Sequence, residues 1–167
     1  MDGNRATWRA ALMAAATLAG EVTAAERPNV RLIHADARLA VSQALDSAAA
    51  RLGRPDCAAI LDEFEDVRGR SLQDNLTALS IDAPAYLGTV LFYDGETDPG
   101  CARQEVVAVA VPGIRIVKIC RGFFRRWKLR PDEAEATLIH EALHTLGLGE
   151  NPPSSREITA RVLKRCH

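Results

Sequence analysis

Residues 138–150 read LIHEALHTLGLGE, and this stretch leaves the chain few ways to fold. Leu138, Ile139, Ala142, Leu143 and Leu146 recur at helical spacing and make an apolar arc so wide that the helix must lie against a core. Only a narrow polar strip remains, and it carries His140, Glu141 and His144. Leu146, Leu148 and Pro152–Pro153 are expected to cover the end of the strip. In such a recess an ionisable group is costly unless it is paired or bound to metal. The competing expectation is an ordinary solvated stripe.

A core for this helix is within reach of the chain. Its 167 residues are a one-domain length, and 47% hydrophobic with 26% charged residues excludes a disordered polymer. No repeat, low-complexity tract or linker divides it. Lys and Arg number 21 against 22 Asp and Glu, so no overall field favours nucleic acid or anionic lipid. No apolar run approaches the roughly 18 residues of a spanning helix, so no membrane span is expected.

The start, MDGNRATWRAALMAAATLAGEVTAAERP, sets Arg5 and Arg9 before an Ala/Leu/Met stretch and small residues suited to cleavage. Residues 1–24 therefore read as a signal peptide. That leaves 25–167 as one domain and places the protein outside the cytoplasm, secreted or periplasmic. An N-terminal helix packed on the domain is the other reading. Cys57, Cys101, Cys120 and Cys166 form no C-x-x-C pair, which gives a four-thiolate zinc site no support. Two disulfides suit an exported chain. Of three possible pairings, Cys101 with Cys120 is preferred because these residues flank an expected hairpin, leaving Cys57 with Cys166.

The order of elements indicates an α+β fold. Ile33, Ala37, Val41, Ala44, Leu45, Ala48 and Leu52 predict a helix over 30–52, stopped by Gly53 and Pro55. Shorter helical patterns follow at 57–65 and 72–79, and Pro84 is expected to close this N-terminal helical half. A strand is expected within GTVLFYDG, residues 88–95. Val106–Val111 and Ile114–Cys120 read as a hairpin turned by Pro112-Gly113. Two helices follow Pro131. RGFFRRWKLR, residues 121–130, would suit phosphates or stacked bases. The favoured reading is a solvated connector whose aromatics pack inward and whose charges meet Asp132, Glu133 and Glu135.

The polar strip carries the chemistry. His140, Glu141 and His144 form H-E-x-x-H, which chance would supply about 0.006 times in a chain with four histidines and eleven glutamates. Side chains four apart on a helix stand one above the other, so two imidazoles can grip one metal ion. Glu141, about 100° round the helix, borders the same face and can take a proton from a metal-bound water. Zinc lowers the pKa of such a water from about 15.7 to near 7. Catalytic zinc takes three protein ligands, and Glu150 is the first choice for the third, since Gly147 and Gly149 let the chain turn back. Glu157 competes, but Ser154 three residues earlier gives it a capping box. His34 and His167 are weaker candidates.

HEALHTLGLGE resembles the zincin metallopeptidases, and its H-E-x-x-H-x-x-G-x-x-E layout is similar to the metzincin branch. The resemblance spans about eleven residues and extends, in HEALHTLGLGENPPSSREIT, to small uncharacterised bacterial exported proteins. It implies Zn2+ held by His140, His144 and Glu150, Glu141 as catalytic base, and Gly147 as the turn residue. Glu150 stands where metzincins have His or Asp, and no methionine follows the motif to form a Met-turn. The implied fold is zincin-like, with N-terminal helices, a small mixed sheet and an active-site helix followed by a C-terminal helix. An edge strand, Val106–Val111 or Val90–Tyr93, would align an extended substrate. Tyr86 or Tyr93 would be available to an oxyanion. The implied activity is a small exported endopeptidase acting on a peptide or protein substrate. Two other readings stay open. One is a zinc endoribonuclease, whose H-x3-H-x5-H spacing is echoed here, although Glu141 argues against it. The other is a non-catalytic zincin-like binding domain.

Overall fold

The computed structural model describes Arg27 and residues 29–167. Four short strands, β1 (Val30–Arg31), β2 (Leu91–Asp94), β3 (Ala108–Ala110) and β4 (Ile116–Ile119), form one sheet in the order β1–β2–β4–β3. The first three in that order are parallel, and β3 runs antiparallel to β4 along a free edge. Because side chains alternate across a strand, register decides which residues share a face. Val30, Phe92, Val117 and Ala110 line up across the four strands, and Ile119 pairs with Ala108 in the next row. These residues face the core, whereas Tyr93 and Lys118 share the opposite face, where Lys118 Nζ lies 5.1 Å from the Tyr93 ring centroid.

The helices are α1 (Ala35–Leu52), α2 (Pro55–Ala58), α3 (Leu72–Leu79), α4 (Ala83–Thr89), α5 (Gly122–Leu129), α6 (Pro131–Thr145) and α7 (Ser155–Arg165). The α1 helix packs on α4, α5 and α6, while α6 also meets α7, β3 and β4. Leu45 and Ala48 of α1 and Leu138 and Ile139 of α6 are fully buried in the resulting core. The buried Glu135 of α6 is neutralised by Arg51 of α1 at 2.6 Å, and Arg51 also donates to the carbonyl of Cys166. Cys57–Cys166 and Cys101–Cys120 are both bonded, the preferred pairing. Two disulfides are consistent with an extracellular location. Among the described residues no helix is long and apolar enough to cross a membrane. The expected signal peptide, residues 1–24, lies outside the described residues.

The architecture is mixed α and β as expected, but several elements differ. The first helix begins at Ala35 rather than near residue 30, because Val30 and Arg31 pair with Phe92 and Tyr93. Pro84 does not close the helical half. It sits in the first turn of α4, where the Asp82 carboxylate accepts from Ala85 N at 2.8 Å and a missing N–H costs nothing. The 57–65 pattern collapses to α2 and a 3-10 turn at Ala59–Leu61. Within residues 121–130, Gly122–Leu129 form helix α5 instead of a connector. Phe123 is fully buried, and Arg126 and Arg130 each donate to Glu133 at 2.7 Å.

The Cys57–Cys166 bond ties α2 to the residue that caps α7 across a sequence separation of 109 residues. Closing so long a loop restricts the unfolded chain strongly. The double substitution Cys57→Ser/Cys166→Ser is expected to lower stability by about 2–5 kcal/mol. Urea denaturation measures this, and an unchanged midpoint would contradict it.

Candidate metal centre

The apolar arc of α6 is buried as its sequence requires: Leu138, Ile139, Ala142, Leu143 and Leu146 all lie in the core. The polar strip is buried too. His140 and His144 are each 4% exposed and Glu141 6%, which rules out the solvated stripe. Helical spacing sets the two imidazoles edge to face with ring centroids 4.9 Å apart and brings their Nε2 atoms to 3.0 Å. Each Nδ1 has its own partner: Thr159 Oγ1 of α7 at 2.9 Å for His140, and the Leu148 carbonyl at 2.7 Å for His144. A carbonyl only accepts, so His144 carries a proton on Nδ1 and turns Nε2 toward His140.

Glu150 reaches the same point. Gly147 leaves the helix at φ +114°, and a Cβ there would lie 2.9 Å from Asp66 Cβ, so only glycine fits both the conformation and the space. Leu148 then bridges to Asp66, and Glu150 Oε1 comes to 3.2 Å from His144 Nε2 and 3.7 Å from His140 Nε2. Among the described residues, His140, His144 and Glu150 form the group able to hold a metal ion. A tetrahedral ion bonded at about 2.0–2.1 Å has ligand atoms about 3.3 Å apart, a value that the distances of 3.0, 3.2 and 3.7 Å bracket. The donor set and its spacing therefore fit a metal.

Electrostatics agree. Burial, then the neighbouring His144, pulls the His140 pKa down to about 3, so its imidazole is neutral and able to ligate. Burial and the charge of Glu150 push Glu141 up to about 8, against a hydrogen bond from the Ala110 amide. The Glu150 carboxylate faces the neutral His140 ring across one recess, an arrangement that a dication would complement.

The recess opens into a cleft of about 490 Å³ between α6 and β3, bordered by Ala108, Ala110, Pro112, Arg103 and Ser155 besides the four site residues. Of the two expected edge strands, Val106–Val111 contains β3 at the free edge, whereas β2 lies between β1 and β4. Neither tyrosine borders this cleft. Tyr86 is buried and donates to Thr145 Oγ1 at 3.0 Å, and Tyr93 lies under Lys118 on the far face of the sheet. Glu157 forms the expected capping box with Ser154, and neither His34 nor His167 joins the metal-capable group.

Residues that no local pattern marked also build the site. Thr159 orients His140 across 19 positions. Asp66 accepts from the amides of Arg68 and Arg70, from the Arg70 guanidinium and from Asn75, whose side chain also donates to Leu146 O at 2.9 Å. This cluster clamps the end of α6 from which Gly147 and Leu148 depart. No protein-family model matches the chain, and no curated protein or solved structure is significantly similar to it.

Two outcomes are expected. Thr159→Val should weaken zinc binding at least about tenfold while Thr159→Ser retains it, as read by competition with a chromophoric chelator. Equal affinities in all three proteins would separate Thr159 from the centre. The donors around Asp66, led by the Arg70 amide, hold its pKa below the usual carboxylate range. Its contribution to stability is thus full above an unfolded-state value of about 3.9 and is lost as the pH falls through that value toward the folded one. Urea midpoints should fall more steeply below about pH 4 in wild type than in Asp66→Asn. Parallel profiles would contradict that role.

Proposed function

We propose that the protein is an exported zinc-dependent endopeptidase that cleaves peptide bonds in the cleft between α6 and β3. The observation that carries this reading is the Glu141 carboxylate, buried beside the convergent His140, His144 and Glu150 and opening onto a free strand edge. A purely structural metal site would have no use for an additional buried carboxylate at the mouth of its cleft. Two imidazoles, one carboxylate and an open fourth position suit catalytic zinc. When bound, zinc supplies Lewis acidity, bringing a water to ionise near neutral pH and polarising a carbonyl.

The chain's own groups do the rest. Val107 O accepts from Cys120 N at 3.0 Å, and the alternation of an antiparallel ladder turns the backbone of Ala108 and Ala110 outward, the Ala110 amide toward Glu141 and the Ala108 groups and Ala110 carbonyl toward an added strand. An extended peptide added along this edge is held by main-chain hydrogen bonds with its scissile carbonyl beside Glu141. The Ala110 amide steadies Glu141. Glu141 takes a proton from the attacking water as its oxygen bonds to the carbonyl carbon. It then delivers that proton to the departing nitrogen as the C–N bond breaks, leaving a carboxyl product and an amine. His140 and His144, fixed at Nδ1, keep Nε2 free to ligate.

Purified wild type should carry about one zinc per chain, and should cleave fluorescein-labelled casein until a chelator removes the metal. Glu141→Gln should keep the zinc and lose about 10²- to 10⁴-fold in kcat. Wild type that binds no metal, or cleavage by Glu141→Gln at the wild-type rate, would overturn the reading.

A further inference from the structure

A second cleft, of about 420 Å³, lies on the other side of the Pro112–Gly113 turn from the metal centre, and Pro112 borders both. The turn is fixed. Ile114 N donates to Val111 O at 3.0 Å across it, Gly113 adopts φ +77°, and Gly113 N donates to the carbonyl of His144 itself at 2.9 Å. A peptide lying along β3 and continuing past Val111 therefore passes from one cleft directly into the other.

The second cleft is cationic in a chain whose net charge is only -1. Arg68, Arg70 and Arg115 line it, with Asp66 as the opposing carboxylate. Asp66 is already committed to two amides, the Arg70 guanidinium and Asn75. Among the described residues, Arg68 and Arg115 have no carboxylate at ion-pairing distance. Arg115 is held in place over the Tyr86 ring, its Cζ 5.8 Å from the centroid. The neighbouring surface is aliphatic: Val67 is 75% exposed and Leu79 37%.

We propose that this cleft is a substrate subsite that receives an acidic side chain of the peptide, a few residues to one side of the scissile bond. The inference rests on the endopeptidase reading for the peptide's path, while the charge and shape of the cleft are independent of it. A carboxylate is the complement of paired guanidinium forks, and the aliphatic rim accommodates an apolar neighbour. RNA fits less well, because single strands bind by stacking bases on exposed aromatic rings, and among the described residues the only ring lining this cleft, Tyr86, is buried beneath Arg115.

The test separates binding from cleavage. Zinc-loaded Glu141→Gln is titrated with a labelled heptapeptide bearing two Glu among Ala and Val, with its Gln counterpart and with oligouridylate, followed by fluorescence anisotropy. The Glu peptide should bind at least about fivefold more tightly than the Gln peptide. That margin should vanish at about 0.5 M salt and on adding Arg68→Gln/Arg115→Gln, whose urea midpoint reports on folding. Arg68→Gln alone, at an exposed side chain, should remove part of it. Equal binding of the two peptides, or tighter binding of oligouridylate, would overturn the subsite. An arginine-dependent preference in a protein whose wild type cuts no peptide would leave the subsite standing and remove the endopeptidase. Cleavage by wild type that is indifferent to charge at every nearby position would do the reverse.

Discussion

Two imidazole nitrogens 3.0 Å apart inside a buried helix face are the constraint around which the rest of the molecule is arranged. Nitrogen lone pairs at that distance repel unless a proton or a metal ion lies between them, and burial works against an extra proton that would charge the pair. The surroundings already fix both rings by their other nitrogens. One hydroxyl from α7 and one carbonyl from the segment after α6 do so, and that segment also delivers Glu150. Helix, exit turn and C-terminal helix therefore meet at a single point.

The scaffold can be read as what such a point requires. The α6 helix packs on α1, α5 and α7 and meets β3, and α7 also reaches its polar strip through Thr159 on His140. The clamp at Asp66 and Asn75 fixes where the helix ends, and Gly147 is the one residue that can pass the clamp without a clash. On the other side, the Pro112–Gly113 turn is bonded to the carbonyl of His144, so the free sheet edge and the metal-capable group are held in a set relation. The disulfides tie the segment after α7 onto α2, within the core, and the β2–β3 connection onto the end of β4.

Much of the centre was legible from spacing alone, because a helix translates sequence interval into position. Four residues bring His140 over His144, and six more with two glycines bring Glu150 back. The wide apolar arc of α6 announced burial, and Ser154 with Glu157 announced a cap. What escaped were contacts made over long intervals. Val30–Arg31 is a strand only because Phe92–Tyr93, some sixty residues on, offers it a partner. Thr159 and Asp66 act on the site through the tertiary fold, and nothing in their neighbours marks them. Two further differences have local causes. Asp82 before Pro84 is a helix start as much as Pro84 is a stop, and the aromatics of residues 121–130 carried a helical face hidden among arginines.

X-ray absorption at the zinc edge of the metal-loaded protein tests the central claim most directly. A centre built by His140, His144 and Glu150 predicts a first shell of nitrogen and oxygen at about 2.0–2.1 Å, with outer-shell scattering from two imidazoles that drops to one in His144→Ala. A spectrum of fully hydrated zinc, or one unchanged by that substitution, would contradict it.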